Sequence, residues 1–321
     1  MSQVVTHNTS SNVAQEPPKY KQYATGWGFR FGLVAALVSI FIWASWLVSM
    51  RAGMTNTLTA FDLGLLRYSP PALLLFPFLW RARAQVKAVS PILLLGIVCG
   101  AGLPFFYLSA TGLKYAPASH AGLLILGAFP FFVTMLAVLF YQEKVSRERK
   151  IGLSLVSIGV LVLLSLSLLT ASENTWKGDL LLLAASFFWA VYTVSLRIAG
   201  LPPLVSTALM GLVSLIVLAF LWATGLASSG LADASWDMLA GQLVVQSLLV
   251  GLLTGFTYGY AIHKLGAENM AAIGAFTPVL AALIAIPVLG ERLEGYSIVG
   301  LVLVSIGVVI ASGILKSKRS F

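Results

Sequence analysis

Arg67 stands inside an otherwise apolar stretch, residues 60–80, of this 321-residue chain. A guanidinium within a membrane-spanning helix costs at least about 2.5–3.5 kcal/mol on insertion scales, so something must offset it. Two chemistries would do so: a carboxylate on a bound substrate, or a gating contact across a cavity. The structural alternatives are snorkelling to headgroups and a bond to carbonyls of a neighbouring helix. Asp62 is a poor partner, because five residues of helix turn it about 140° away. His120, in the stretch 118–141, offers an imidazole that titrates near neutral pH and couples movement to protons, or else a hydrogen-bonded structural group. Trp43 with Trp46, and Trp189 with Tyr192, stand three residues apart, on one face of a helix. Together with Tyr107, Tyr258, Phe105, Phe106 and Tyr260 they could line a cavity for an aromatic, amphipathic or cationic substrate. Pro130 and Pro278 interrupt the backbone ladder and free carbonyls that a cavity or a neighbouring helix must satisfy. Glu143 and Glu291 follow apolar stretches beside basic residues, where they pair at helix ends or carry protons.

These residues need a scaffold that lipid, rather than water, solvates. The chain is 59% hydrophobic and only 10% charged, with a mean hydropathy of +0.93, whereas a soluble domain carries roughly 25% charged residues. A water-soluble enzyme, a disordered protein and a nucleic-acid-binding domain are excluded on those figures. Cys99 is the single cysteine, which excludes an intrachain disulfide framework or a cysteine-built metal site. A span needs about 20 apolar residues. Ten stretches qualify: 31–50, 60–80, 90–112, 118–141, 150–170, 178–198, 203–224, 240–262, 267–289 and 296–315. Residues 1–30 read as a disordered cytoplasmic tail without a signal-peptide core, and 316–321 as a basic cytoplasmic tail.

Lysine and arginine set the orientation. With the N-terminus cytoplasmic, fifteen of them face inside, among them Arg81, Arg83, Lys144, Arg147, Arg197 and Lys316. Four, Arg51, Lys114, Lys177 and Arg292, face outside. Both termini are therefore expected inside, in a bacterial inner membrane given the lack of an organellar signal. The net charge of +9 reflects insertion and calls for no anionic partner.

The chain repeats itself. Leu155-Val156-Ser157-Ile158-Gly159-Val160 recurs as Leu303-Val304-Ser305-Ile306-Gly307-Val308, an offset of 148 shared by Gly152 and Gly300, Glu143 and Glu291, and Pro130 and Pro278. Phe41-Ile42-Trp43-Ala44 recurs as Phe187-Phe188-Trp189-Ala190 at an offset of 146, which Val48-Ser49 and Arg51 share with Val194-Ser195 and Arg197. The unit holds five spans, covering 31–170 and 177–315. Five is odd, so the two copies enter the membrane in opposite directions. Inverted repeats of this kind place a substrate site near the midplane between halves that exchange conformations.

A tryptophan in the first span, an arginine in the second, and a proline in the fourth followed thirteen residues later by glutamate resemble the EamA-type half of the drug/metabolite transporter superfamily. The second copy is the better match, with Thr277-Pro278-Val279-Leu280, Leu289-Gly290-Glu291-Arg292-Leu293, Gly300 and Gly307. The first reads Tyr141-Gln142-Glu143-Lys144-Val145 where the family has a Gly-Glu-Arg run. The resemblance covers 31–315. It implies an all-α integral membrane fold of ten transmembrane helices, arranged as two inverted five-helix repeats. It also implies carriage of small metabolites, often outward and most commonly amino acids or their derivatives, with an arginine kept at the position of Arg67.

The expected function is thus secondary transport of small metabolites by alternating access. The cavity would be built from spans 1, 3, 4, 6, 8 and 9, with spans 5 and 10 as peripheral braces. A flippase for lipids or lipid-linked sugars is the runner-up. An intramembrane enzyme lacks its motifs: there is no His-Glu-x-x-His pair, no paired intramembrane aspartates and no Ser/His/Asp set at membrane depth. A sensor would bring an output domain. No cofactor or metal is expected, and the partners are a small-molecule substrate and membrane lipid, without nucleic acid, in a monomer or homodimer. No carboxylate reads as buried within a span, which points away from proton-driven antiport. Gly96-x3-Gly100 and Gly251-x3-Gly255-x3-Gly259 read as helix-packing faces.

Overall fold

The computed structural model describes residues 27–170 and 174–314. The expected tails, 1–26 of the first and all of 316–321, lie outside those residues. Apart from two short helical pieces, Arg83–Ala88 and Leu231–Asp233, ten long helical stretches follow in order: α1 Trp27–Met54, α2 Ala60–Arg81, α3 Pro91–Tyr115, α4 Ala118–Phe140, α5 Arg147–Leu169, α6 Thr175–Ala199, α7 Pro203–Ala223, α8 Trp236–Leu265, α9 Asn269–Leu289 and α10 Gly295–Ala311. Among the described residues there is no strand, and eight of these stretches are long and apolar enough to cross a membrane. The two that fall short are α2, which holds three internal prolines with Asp62 and Arg67, and α10, with 17 residues. The protein is an all-helical, multi-pass membrane protein. Residues 27–30, expected in the tail, are part of α1.

Local chemistry sets the breaks. Pro130 and Pro278 each occupy the second position of a new helical segment, Phe129–Tyr141 and Thr277–Leu289. Upstream of Pro130, α4 winds into a π-helix, Gly122–Gly127. In that winding the carbonyl of Ile125 faces a proline with no N–H, and the Ser186 hydroxyl of α6 donates to it at 2.8 Å. Pro70 similarly deprives the Leu66 carbonyl of its helical donor, and Ser247 of α8 takes its place. Helix breaks within lipid are thus closed by hydroxyls of a neighbouring helix, as unsatisfied backbone would be costly there.

The helices pair in a regular way. α2 packs on α7, and α5 on α10; α1 packs on α8 and α9, and α6 on α3 and α4. The α5–α10 contact is set by glycines at the repeat positions. A Cβ on Gly152 would stand 2.5 Å from the Gly307 carbonyl, and one on Gly159 would stand 3.2 Å from that of Gly300. Small residues of this kind let backbones touch. Gly96 and Gly100 do likewise against Ser195 and Tyr192 of α6. Gly255 and Gly259 do not: nothing lies within 4 Å of their would-be Cβ atoms, so that face of α8 packs on no helix, and only Gly251 meets a neighbour, Pro71.

Candidate substrate site and the two ends of the bundle

Arg67 sits seven residues into α2, about 10 Å along it, and is half-buried. Its Nη1 donates to the Gln246 carbonyl at 3.3 Å, and its guanidinium lies 5.9 Å from the centre of the Trp46 ring. The hydroxyl-bearing rings of Tyr68 and Tyr192 are close enough to interact with its charge. Among the described residues no carboxylate pairs with it. A guanidinium carries five N–H donors in a fork that fits a carboxylate, so most of this donor capacity is open.

The groups around it form one constellation. Trp46 packs on Phe105 at 6.1 Å and edge-on to Trp189 at 6.2 Å, and Phe105 meets Trp189 at 5.1 Å. Within α8 the segment Leu243–Leu253 is π-helical, a winding that recurs at functional sites. It places Gln246 beside Arg67, and Gln242 within reach of α1. Gln242 donates to the Ser49 carbonyl at 2.6 Å and accepts from the Ser49 hydroxyl at 2.9 Å, while Gln246 Nε2 donates to Gln242 Oε1 at 3.2 Å. Among the described residues, Trp46 Nε1 and Gln246 Oε1 are buried without a hydrogen-bond partner. Among the described residues, a cation without a carboxylate partner, an indole donor and an amide acceptor without hydrogen bonds are therefore held together within an aromatic wall.

The structure gathers Trp46, Arg67 and Trp189 here, with Tyr192 at the edge. Trp43 and Tyr258 instead meet as tilted rings 5.1 Å apart, Trp43 in a separate apolar cluster with Ala36, Ile40 and Ala261 and Tyr258 exposed. Tyr107 is partly buried against the main core. Pro130 is partly buried, and Pro278 is buried where α4 and α9 touch, so close that a Cβ on Gly122 would stand 2.8 Å from it. Gln242 and Gln246 were not expected. Their signal is two amides four residues apart, on one face of an apolar stretch.

Two acids overturn the expectation that no carboxylate is buried. Asp62 and Asp179 are both fully buried. Asp62 caps its own helix in a box with Thr59 and ties down the α7–α8 connection by accepting from the Ser229 hydroxyl at 2.5 Å and the Gly230 amide at 2.9 Å. Asp179 accepts from His120 Nδ1 at 2.8 Å, and His120 Nε2 lies 2.9 Å from the Ser297 hydroxyl. His120, 1% exposed, lies in this cluster apart from the Arg67 constellation.

Glu143 and Glu291 each pair with an arginine of the other repeat, at opposite ends of the bundle. Arg51 Nε meets Glu291 Oε1 at 3.3 Å. Arg51 also donates to the Leu113 carbonyl at 2.5 Å, and both Glu291 oxygens accept from the Ala118 amide at 3.1 Å. Arg197 meets Glu143 at 3.3 Å. Along α6, Arg197 is about 27 Å from Asp179 at 1.5 Å per residue, and Asp179 lies at the Glu291 end through His120. A flank groove of about 560 Å³ between α1 and α9 is lined entirely by apolar residues, including Leu37, Phe41, Phe276 and Leu283. Among the described residues no three of His, Cys, Asp and Glu come together as metal ligands.

Relatives match most of the chain. The uncharacterized transporter YyaM of Bacillus subtilis is 27% identical over 250 residues, which span 74% of this chain and 78% of YyaM. The uncharacterized transporter YcxC of the same organism is 26% identical over 73% of this chain and 76% of its own. An uncharacterized transporter of Archaeoglobus fulgidus is 22% identical over 84% and 93%. A crystal structure that is 19% identical superposes with a TM-score of 0.60 over 90% of this chain and 98% of its own, and so shares its fold. The EamA-like transporter family model matches twice, at residues 30–165 and 176–313, and the chain belongs to that family.

Proposed function

We propose that the protein is a secondary transporter that moves small metabolites across the bacterial inner membrane by alternating access, exporting amino acids or related compounds. In this reading all ten stretches span the membrane as two inverted five-helix repeats, with both termini cytoplasmic. The Glu291 end is then the outer end and the Glu143 end the inner. The observation that carries the reading is the pair of repeat-equivalent ion contacts at those ends. Arg51 corresponds to Arg197, and Glu291 to Glu143, yet one contact is packed into the protein and the other is open to solvent. One set of contacts in two states of closure is what alternating access by inverted repeats requires. The mirrored helix pairing and the crossed glycines of α5 and α10 support the same symmetry.

The unpaired groups around Arg67 suit a substrate with a carboxylate for the guanidinium, an N–H for Gln246 Oε1 and an apolar or aromatic body for Trp46, Phe105 and Trp189. A lipid flippase would need polar groups along a lateral opening, and the groove between α1 and α9 has none. The test is counterflow in proteoliposomes with pooled labelled amino acids, polyamines, nucleosides and sugars. The amino-acid pool is expected to exchange. Arg67→Ala should reduce exchange by about 100-fold at unchanged membrane abundance, and Arg67→Lys should recover only part, since an ammonium lacks the fork. Exchange of the polyamine pool alone would overturn the carboxylate, and no exchange of any pool by folded protein would overturn the carrier of small metabolites.

A further inference from the structure

A second buried cluster lies at the Glu291 end and plays no part in holding the substrate. His120 belongs to the first repeat, and Asp179 and Ser297 to the second. Among the described residues Asp179 Oδ2 has no hydrogen-bond partner. With Asp179 ionised, His120 donates from Nδ1 to Oδ1. Its Nε2 then has two options. It accepts from the Ser297 hydroxyl, or it carries a proton of its own and donates to the Ser297 oxygen, whose hydroxyl hydrogen rotates away. The heavy atoms stand at hydrogen-bond distance for both, so one proton can enter or leave without rearranging them. With it, the His–Asp pair is neutral overall; without it, the pair bears one negative charge.

The surroundings make that charge count. The Ala118 amide, two residues from His120, is held by Glu291, which pairs with Arg51 of α1. Tyr296 of α10 stacks edge-on to His120 at 6.0 Å, and Glu294 and Asp179 act on Tyr296 electrostatically. Of the other charged groups on the packed helices, Lys114 of α3 and Lys177 of α6 are exposed, as is Tyr115. α9 brings no titratable group within Thr277–Leu289. Tyr296 is only partly buried and Glu294 is exposed, so water reaches the edge of the cluster.

We propose that His120, Asp179 and Ser297 form a proton-binding site that couples transport to proton movement. The bound proton holds the Glu291 end closed, and its loss weakens a contact between the two halves and lets that end open. The proposal rests on the carrier reading, and its test separates the two. In proteoliposomes, uptake of the labelled amino-acid pool is measured with and without an imposed pH gradient, beside exchange at equal pH. The wild type is expected to accumulate about tenfold more under the gradient, within the usual range of coupling between sites. His120→Gln and Asp179→Asn should exchange yet ignore the gradient. A gradient response that survives in a folded variant, or a wild type that exchanges but ignores the gradient, overturns the proposal. A substrate-free measurement covers a wild type that exchanges nothing. In a Cys99→Ala background, maleimide labelling of Leu113→Cys, buried at this end, is measured relative to the same residue in the unfolded protein at each pH, which cancels the ordinary rise in thiolate. This ratio should rise about tenfold between about pH 5 and 8 and become flat with His120→Gln. A ratio indifferent to pH overturns the proton site whatever becomes of the carrier.

Discussion

The two ends of the bundle use the same residue types and hold them differently. At the Glu291 end the side chains of the pair are 20% and 12% exposed; at the Glu143 end they are 71% and 44% exposed. The charge separation is 3.3 Å in both, so distance does not distinguish them. Company does. Glu291 also caps the first turn of α4 through Ala118, and Arg51 reaches the Leu113 carbonyl before it, so four segments meet at one ion pair. Arg197 and Glu143 stand nearly alone in solvent, where an ion pair contributes roughly 0–1 kcal/mol and is weakened by salt. A charge pair becomes a lock when backbone groups that have no other partner converge on it, and removing either member then strands the rest.

The comparison is most directly broken by deleting one carboxylate at a time. Glu291→Ala leaves Arg51 and the Ala118 amide without their acceptor. It should cost about 2 kcal/mol, read as a fall of about 4–8 °C in apparent melting temperature in detergent. Glu143→Ala should stay within about 0.5 kcal/mol, since it removes an exposed pair. Equal shifts would mean that the two ends are held alike and that burial plays no part in the difference.

Charge exchange sharpens the cause at a smaller scale. Reversing both partners, Arg51→Glu with Glu291→Arg, restores opposite charges but removes the donor to Leu113 and the acceptor for Ala118. We expect the double variant to regain only about 1 kcal/mol over the single reversals. At the other end, Arg197→Glu with Glu143→Arg should match the wild type, because among the described residues no backbone group depends on either side chain there. Full rescue at the Glu291 end would reduce the lock to a simple ion pair.

Much of this was legible before any coordinates. The repeat and the matching positions of its glycines, arginines and glutamates can be read by comparing the chain with itself, since matching punctuation survives where apolar residues interchange. That each glutamate pairs with the arginine of the other repeat, rather than with its basic neighbours, comes from the packing. Arg67 announced itself by cost. What escaped depended on close approach. Asp179 follows Lys177 at a helix start, where hydropathy places a boundary. It is buried because Gly178 lets α6 press against α3, a Cβ there standing 2.7 Å from both the Ala116 amide and the Gly112 carbonyl. That contact carries Asp179 under His120. Trp43 and Trp46 share a helix face in the sequence pattern, but α8 packs across Trp43 and α3 across Trp46, so one meets Tyr258 and the other joins the Arg67 constellation.

The smallest effect tests whether the difference between the ends is local. The helices before the two glutamates finish alike, with a left-handed residue whose amide donates four residues back: Gln142 to Val138 at 3.0 Å, and Gly290 to Ile286 at 3.1 Å. Glycine adopts that conformation freely, whereas a side chain pays about 1 kcal/mol, partly offset by the extra freedom glycine has when unfolded. Gln142→Gly should therefore stabilise the protein by about 0.5 kcal/mol. Gly290→Gln should cost a similar amount, since a Cβ at 290 meets nothing within 4 Å and the penalty is purely conformational. Neither exchange should change how Glu143 or Glu291 is held, as measured by the salt dependence of melting in each variant. If Gln142→Gly gave the Glu143 end the salt resistance of its counterpart, the turn before the glutamate would set the lock. If it does not, the lock comes from the backbone groups of α3 and α4 that converge on Glu291 and Arg51.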